Sequence, residues 1–162
     1  MLIELKAAVR DLRAAVAECR CNMGTAALEE TSGLLGDILP EPLSTCEEWE
    51  ELESKLEDNS TRRNLADRLA VLGGANLDDV VRVIMETCTK KSLQQKITVE
   101  GRNGKRSFKG TRLFDCVLTA VHKRMDTLKV PVTDKEITAR VGRYLTCAGD
   151  REGGRKQRAV RH

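Results

Sequence analysis

The hydrophobic pattern of the chain begins with a heptad repeat over residues 1–23. Apolar side chains recur there at alternating spacings of three and four, with mostly β-branched or unbranched residues at a and leucine at most d positions. This arrangement is typical of a parallel two-stranded coiled coil, and a helix that folds back onto its own domain is the alternative. We predict a coiled-coil helix that forms a homodimer or a higher homo-oligomer. Its contact residues are Leu2, Leu5, Val9, Leu12, Val16 and Cys19.

Residues 24–44 are rich in glycine and proline and are predicted to form a linker. Pro40 and Pro42 end any helix here, because each removes a backbone donor and biases the preceding residue towards extended geometry. Within this stretch, residues 31–39 predict a helical turn that docks on the domain that follows.

Five amphipathic helices are predicted between residues 45 and 148, each preceded by a capping signal. Ser44 or Thr45 caps the first, with Glu47 or Glu48 placed for a capping box, and residues 133–136 form the same motif before the last helix. The other three are predicted to start at Asn59 or Ser60, at Asn76 and at Thr111. The side chains predicted to face the core are Trp49, Leu52, Leu56, Leu65, Leu69, Leu72, Leu77, Val80, Val81, Ile84, Met85, Cys88, Leu113, Phe114, Val117, Leu118, Val121, Met125, Ile137, Val141, Tyr144 and Leu145.

A different pattern separates the third and fourth helices. Residues 97–99 are short and β-prone, and Gly101 and Gly104, with Asn103 between them, supply positions that tolerate positive φ. Cationic residues crowd this stretch, where Glu100 is the single acid between Lys90 and Arg112. We predict an exposed basic loop or a small hairpin.

Composition agrees with a helical fold. The chain has 162 residues, of which 40% are hydrophobic and 33% charged, enough for one compact domain and an appendage. Aromatic residues make up only 2%, so the core is built mainly of aliphatic side chains, which favours packed helices over a β-sandwich. The predicted architecture is all-α: a coiled-coil helix at 1–23, a linker at 24–44, a five-helix domain at 45–148 and a basic disordered tail at 149–162.

The net charge of +3 hides a strong asymmetry. Residues 1–58 contain 5 Lys and Arg against 14 Asp and Glu, whereas residues 59–162 contain 23 against 11. Such a basic half favours nucleic acid or another acidic surface as a partner. The acidic half is expected either to shield the basic half or to contact basic proteins.

Catalytic and metal-binding patterns are missing from the sequence. No glycine-rich phosphate loop, Gly-x-Ser-x-Gly motif or Cys-x-x-Cys pair occurs, and His122 and His162 are the only histidines. We therefore predict no enzymatic activity, no cofactor and no metal. Cys88, Cys116 and Cys147 are predicted to be small core residues in a reducing compartment. No secretory signal or membrane-spanning apolar run is recognisable, which predicts a soluble intracellular protein.

Several short motifs carry a resemblance to a known family. They are LGG at 72–74, VVRVIM at 80–85, GRNGKRSF at 101–108, LF at 113–114, TDKE at 133–136, YL at 144–145 and AGDR at 148–151. Their order from Cys46 to Arg158 resembles the domain of unknown function family 4806, which has no assigned activity. The layout of helices, basic loop and basic tail is also similar to the BEN domain, a helical DNA reader of chromatin proteins. These likenesses imply a nuclear protein associated with transcription or transposons, with duplex DNA and other nuclear proteins as partners.

The predicted function is binding of double-stranded DNA through its phosphates. Single-strand binding is disfavoured because only Phe108 and Tyr144 are available to stack bases. A self-associating protein-interaction scaffold without nucleic-acid binding is the alternative, since the heptads and the acidic helix at 46–58 fit it equally well. The predicted contact residues are Lys90, Lys91, Lys96, Arg102, Lys105, Arg106, Lys109, Arg112, Arg140, Arg143, Arg151, Arg155, Lys156 and Arg158.

Overall fold

Helices make up most of the part of the chain that the computed structural model describes, residues 35–149. The all-α prediction is therefore confirmed at this level, with one short strand pair added. The predicted coiled coil at 1–23 and basic tail at 150–162 lie outside the described residues. The helices are α1 (Cys46–Lys55), α2 (Asn59–Ala70), α3 (Leu77–Cys88), α4 (Lys91–Gln94), α5 (Arg112–Thr127) and α6 (Asp134–Thr146), with a 3₁₀ turn at Cys147–Gly149; the strands are β1 (Ile97–Thr98) and β2 (Arg106–Ser107).

The predicted capping residues start the helices. In α1 the Glu48 N–H donates to Thr45 Oγ1 over 3.2 Å, while Glu48 Oε2 accepts from the Thr45 N–H over 3.2 Å. Thr133 and Glu136 form the same reciprocal box at α6. Asn76 and Thr111 cap α3 and α5. Helix α2 starts at Asn59 as predicted, and its cap is the preceding residue, Asp58. The four-residue α4 was not predicted.

Helix α5 runs through the centre of the domain and packs against α1, α2, α3 and α6. Its apolar face explains this position, because Leu113, Val117, Ala120 and Val121 are all fully buried. Beside its first turn, the Phe108 ring meets Phe114 edge-on with centroids 5.3 Å apart, and it lies 6.0 Å from Trp49. These aromatic side chains join α1, the strand pair and α5 into one core.

The end of the predicted linker is part of this core. Leu35, Ile38, Leu39 and Leu43 are buried, and a helical turn forms where the Leu39 N–H donates to the Leu35 carbonyl over 2.8 Å. Leu43 then makes a parallel β-bridge with Thr89, just after α3. The predicted docking turn is thus present in residues 35–39.

Two further features of residues 35–149 bear on function. Within this range no helix combines the length and the hydropathy that a bilayer-spanning helix requires. In the same range no three His, Cys, Asp or Glu side chains are grouped as metal ligands.

Candidate nucleic-acid interface

The basic stretch between α4 and α5 forms a parallel strand pair. Ile97 is in register with Arg106 and Thr98 with Ser107, and the Arg106 N–H donates to the Lys96 carbonyl over 3.1 Å. The predicted hairpin is therefore wrong, because a hairpin joins antiparallel strands. Because the strands are parallel, the connection at 99–105 must return to the starting end of β1 before β2 begins. This short connection is sufficient because each strand has only two residues. The predicted exposed loop is correct for the tip, where Arg102, Asn103 and Gly104 are exposed.

The tight crossing depends on backbone positions with positive φ. Gly101, Asn103 and Gly104 have φ of 71°, 59° and 72°. A Cβ at Gly101 would lie 3.2 Å from the Ser107 nitrogen and 3.3 Å from the Lys105 carbonyl oxygen, whereas a Cβ at Gly104 would meet nothing within 4 Å. Gly101 is therefore required for both its conformation and its close contact with β2.

Arg106, at the start of β2, and Arg112, at the start of α5, both contact α1. Arg106 Nη1 lies 2.6 Å from Glu50 Oε1, and its guanidinium stands 5.4 Å from the centre of the Trp49 ring. The hydrogen bond that Arg106 donates to Glu50 is the main cause of the raised pKa of Arg106. Arg112 Nη2 lies 3.2 Å from Glu57 Oε1. Both cations thus already have carboxylate partners.

Three more predicted contact residues are paired within the domain. Lys90 Nζ lies 3.3 Å from Glu41, Arg102 Nη2 lies 2.5 Å from Glu100, and Arg140 Nη1 lies 2.8 Å from Asp78. All of these groups are substantially exposed, so each pair contributes about 0–1 kcal/mol to stability. The pairs still reduce the positive potential that the sequence predicts for this surface.

The individual contacts of the acidic residues at 50–57 were not predicted. The acidic half was expected in general to shield the basic half or to contact basic proteins, whereas Glu47 and Glu48 were assigned to helix capping and the helix dipole, and Glu50, Glu53 and Glu57 were not connected to the basic loop. Glu50 and Glu53 are three apart on one side of α1, and Glu57, four positions further on, lies in the turn after the helix ends at Lys55. That spacing was available in the sequence, but the contact partners lie more than 50 positions away along the chain.

Three lysines lie next to the strand pair within residues 35–149, and one of them, Lys96, adds to the lowering of the Glu47 pKa that hydrogen bonds to the Glu47 backbone and Thr45 mainly cause. Lys96, Lys105 and Lys109 form no ion pair there, and we call them the lysine face. Lys96 and Lys105 directly precede β1 and β2, one position before the registered pair of Ile97 and Arg106. Lys109 follows β2 and comes directly after the buried Phe108. Lys96 and Lys109 are exposed and Lys105 is partly exposed.

The remaining predicted contact residues are dispersed. Arg143 is exposed on α6 and forms no ion pair within the described range, and Lys91 is partly exposed at the start of α4. Over residues 35–149 the charges nearly balance, with 19 Lys and Arg against 18 Asp and Glu. The rest of the predicted set, Arg151, Arg155, Lys156 and Arg158, lies outside the described residues.

The aromatic and cysteine side chains offer no further chemistry. Phe108 is fully buried and Tyr144 is partly buried, so Phe108 is not available to stack a base. Burial is the main cause that raises the pKa of Cys88 to about 12 and that of Cys116 to about 11, which keeps both thiols protonated and unreactive. Cys88 and Cys116 are core residues as predicted. The prediction for Cys147 is wrong, because its position after α6 leaves it exposed.

Comparison with known proteins identifies one family. Residues 37–120 match the family model described as Domain of unknown function (DUF4806). The chain belongs to this family. The match to the DUF4806 domain starts in the docking segment before α1 and ends within α5, so the motifs predicted at 133–136, 144–145 and 148–151 lie beyond it. No curated protein and no solved structure matches the chain, and the likeness to the BEN domain finds no support.

Proposed function

We propose that this DUF4806 protein binds double-stranded DNA through backbone phosphates, with the lysine face as the contact surface of the folded domain. The observation that supports the proposal is that Lys96, Lys105 and Lys109 lie next to the strand pair, are exposed or partly exposed, and form no ion pair in residues 35–149. Because these ammonium groups form no ion pair, none has to be broken before they contact phosphate oxygens. The proposal includes a nuclear location and oligomerisation through residues 1–23.

The size of the lysine face sets the expected strength of binding. Each phosphate neutralised on duplex DNA contributes about −0.9 to the slope of log affinity against log salt, so three lysines correspond to about −2.7. The full predicted set of cations would give a much steeper slope. The domain is therefore expected to bind duplex DNA weakly and without base preference, and the basic residues at 151–161 and oligomerisation would strengthen binding by adding contacts.

The test is a titration of a random duplex with the full chain between about 50 and 200 mM salt. A variant with Lys96, Lys105 and Lys109 changed to Gln removes three charges from the lysine face. The matched control changes Lys55, Arg63 and Lys135 to Gln, which removes the same charge from residues without ion pairs in residues 35–149. We expect the first variant to lose affinity and to flatten the slope by about 2.7.

Two results would contradict DNA binding through this face. Equal losses in both variants would show that net charge alone decides affinity. A wild-type chain that does not retain duplex even at low salt would show that the domain is not a nucleic-acid binder.

A second candidate function is a protein-interaction scaffold that does not bind nucleic acid. The pairing of Arg106 and Arg112 with α1 favours it, because cations compensated inside the domain are not needed for a polyanion. In this case the wild-type chain would self-associate and would show no salt-dependent retention of duplex.

A further inference from the structure

A groove lies between the segment at 38–43 and α1. Its volume is about 320 Å³, at the lower end of the range for binding pockets. The apolar lining comes from Ile38, Leu39 and Leu43 on one side and Leu52 of α1 on the other. The groove is therefore suited to one or two aliphatic side chains rather than to a large cofactor.

The polar groups around the groove are almost all hydrogen-bond acceptors. Glu41, Glu48 and Glu51 contribute three carboxylates, and Lys55 contributes one ammonium group. Glu41 is paired with Lys90 over 3.3 Å, and Glu48 Oε2 accepts from the Ser44 and Thr45 N–H groups. Pro40 and Pro42 form part of the wall and have no backbone N–H to donate. Glu51 forms no ion pair within the described residues and is exposed, so its charge is available to a partner. An occupant must bring donors and positive charge to complement this rim.

We propose that this groove binds a short protein segment that presents an aliphatic side chain next to Lys or Arg. The aliphatic side chain would enter the apolar lining, and the adjacent cation would lie against Glu51 and the neighbouring carboxylates at the rim. This partner differs from duplex DNA, which carries only negative charge and would be repelled by the rim. The proposal is therefore independent of the lysine face and of DNA binding.

The test selects short random peptides displayed on phage against the full chain. The enriched peptides are expected to share Leu, Ile or Val beside Lys or Arg. A synthetic copy of an enriched peptide is then titrated against variants of the full chain. Glu51→Lys should weaken its binding about tenfold or more, because like charges then face each other across the interface. NMR shifts on binding are expected at the methyl groups of Ile38, Leu39 and Leu43.

The control is Asp126→Lys, which makes the same charge change at an exposed position of α5 outside the groove. It should bind the peptide as the wild-type chain does. The proposal is overturned if no peptide is enriched, if enriched peptides are acidic, or if both variants bind equally. A further result would also overturn the proposal: the chain captures no peptide but self-associates, and Glu51→Lys abolishes that self-association. The groove would then bind a second copy of the chain.

Discussion

Glu53 connects α1 to the first turn of α5. Its two carboxylate oxygens accept from the Arg112 and Leu113 N–H groups, each over 2.9 Å, while Thr111 Oγ1 accepts from the Phe114 N–H over 3.2 Å. These donors have no partner within the helix, and the positive end of the helix dipole adds to the attraction. Glu53 therefore serves as a second cap that a distant helix supplies.

We predict that Glu53→Gln destabilises the domain by about 1.5–3 kcal/mol, the usual value for hydrogen bonds to a charged group. The amide replaces one acceptor by a donor that faces a backbone N–H. Urea unfolding followed by the fluorescence of Trp49, the only tryptophan, measures the change. Glu51→Gln is the control, since Glu51 is exposed on the same helix, and it should shift stability by less than about 0.5 kcal/mol. Equal urea midpoints for Glu53→Gln and the wild-type chain would contradict the capping role of Glu53.

Arg106 shows how one residue can satisfy two structural demands. Its backbone lies in β2, while its guanidinium contacts both the Trp49 ring and Glu50. The planar guanidinium permits this combination of ring stacking and carboxylate binding, which a lysine would not reproduce. A residue predicted to contact DNA is thus also a contact between the strand pair and α1.

At the scale of elements, the caps explain why the helix boundaries were predictable. A cap is a local arrangement: the Thr133 hydroxyl and the Glu136 carboxylate are three residues apart and need no distant partner. The hydrogen bond from the Thr133 N–H is the main cause that lowers the pKa of Glu136, and the Ser44 N–H has the same effect on Glu48.

These lowered pKa values predict the direction of acid sensitivity. A carboxyl group whose pKa is lower in the folded state stabilises the fold above its unfolded pKa of about 4.5, and this contribution is lost as the pH falls through the lower folded value. Glu136→Gln keeps an oxygen for the Thr133 N–H and removes the titration. We expect it to be less stable than the wild-type chain near neutral pH, and the difference to shrink towards about pH 3.

Urea unfolding at the two pH values measures this change. Asp126→Asn is the control, because Asp126 is exposed and its side chain forms no hydrogen bond within residues 35–149. Its difference from the wild-type chain should be small at both pH values. A gap for Glu136→Gln that is independent of pH would show that the carboxylate charge does not stabilise α6.

At the scale of the whole molecule, acidic and basic side chains of residues 35–149 pair across the domain. Glu50 of α1 binds Arg106, and Glu53 and Glu57 bind Arg112 at the start of α5, so part of the charge asymmetry of the sequence is compensated inside the domain. The pairs are exposed and weak, and phosphate can compete with the carboxylates for Arg106 and Arg112. If the domain binds duplex DNA, α1 is expected to limit that binding.

We predict that Glu50→Gln increases the affinity for duplex DNA, because Arg106 loses its carboxylate partner. One additional phosphate contact would make the salt slope steeper by about 0.9. Glu51→Gln changes the net charge equally without touching the loop, and it should change affinity less. The same duplex titration over salt measures both variants. Identical gains would show that the pairing of Arg106 has no effect on binding.

The family match covers the first part of the described domain. It includes the docking segment before α1 and the Gly101 loop, and it ends within α5. Leu39 was assigned to the docking turn and Leu43 to the linker rich in glycine and proline, and both are buried in the core. Nothing in a stretch of scattered leucines indicates which distant surface will cover them.

The sequence alone determined the helical class, the starts of five helices and the position of the basic loop. These follow from hydrophobic spacing, from capping residues and from glycines, all of which act within a few positions along the chain. Only the tertiary structure decided that the strands run parallel, that Glu53 caps α5, and which cations keep a free charge. Glu53 and the start of α5, and likewise Glu50 and Arg106, are more than 50 positions apart, and their contact is set by how the helices pack around α5. The strands pair residues only nine positions apart, as Ile97 does with Arg106, but their direction depends on the path of the connection at 99–105.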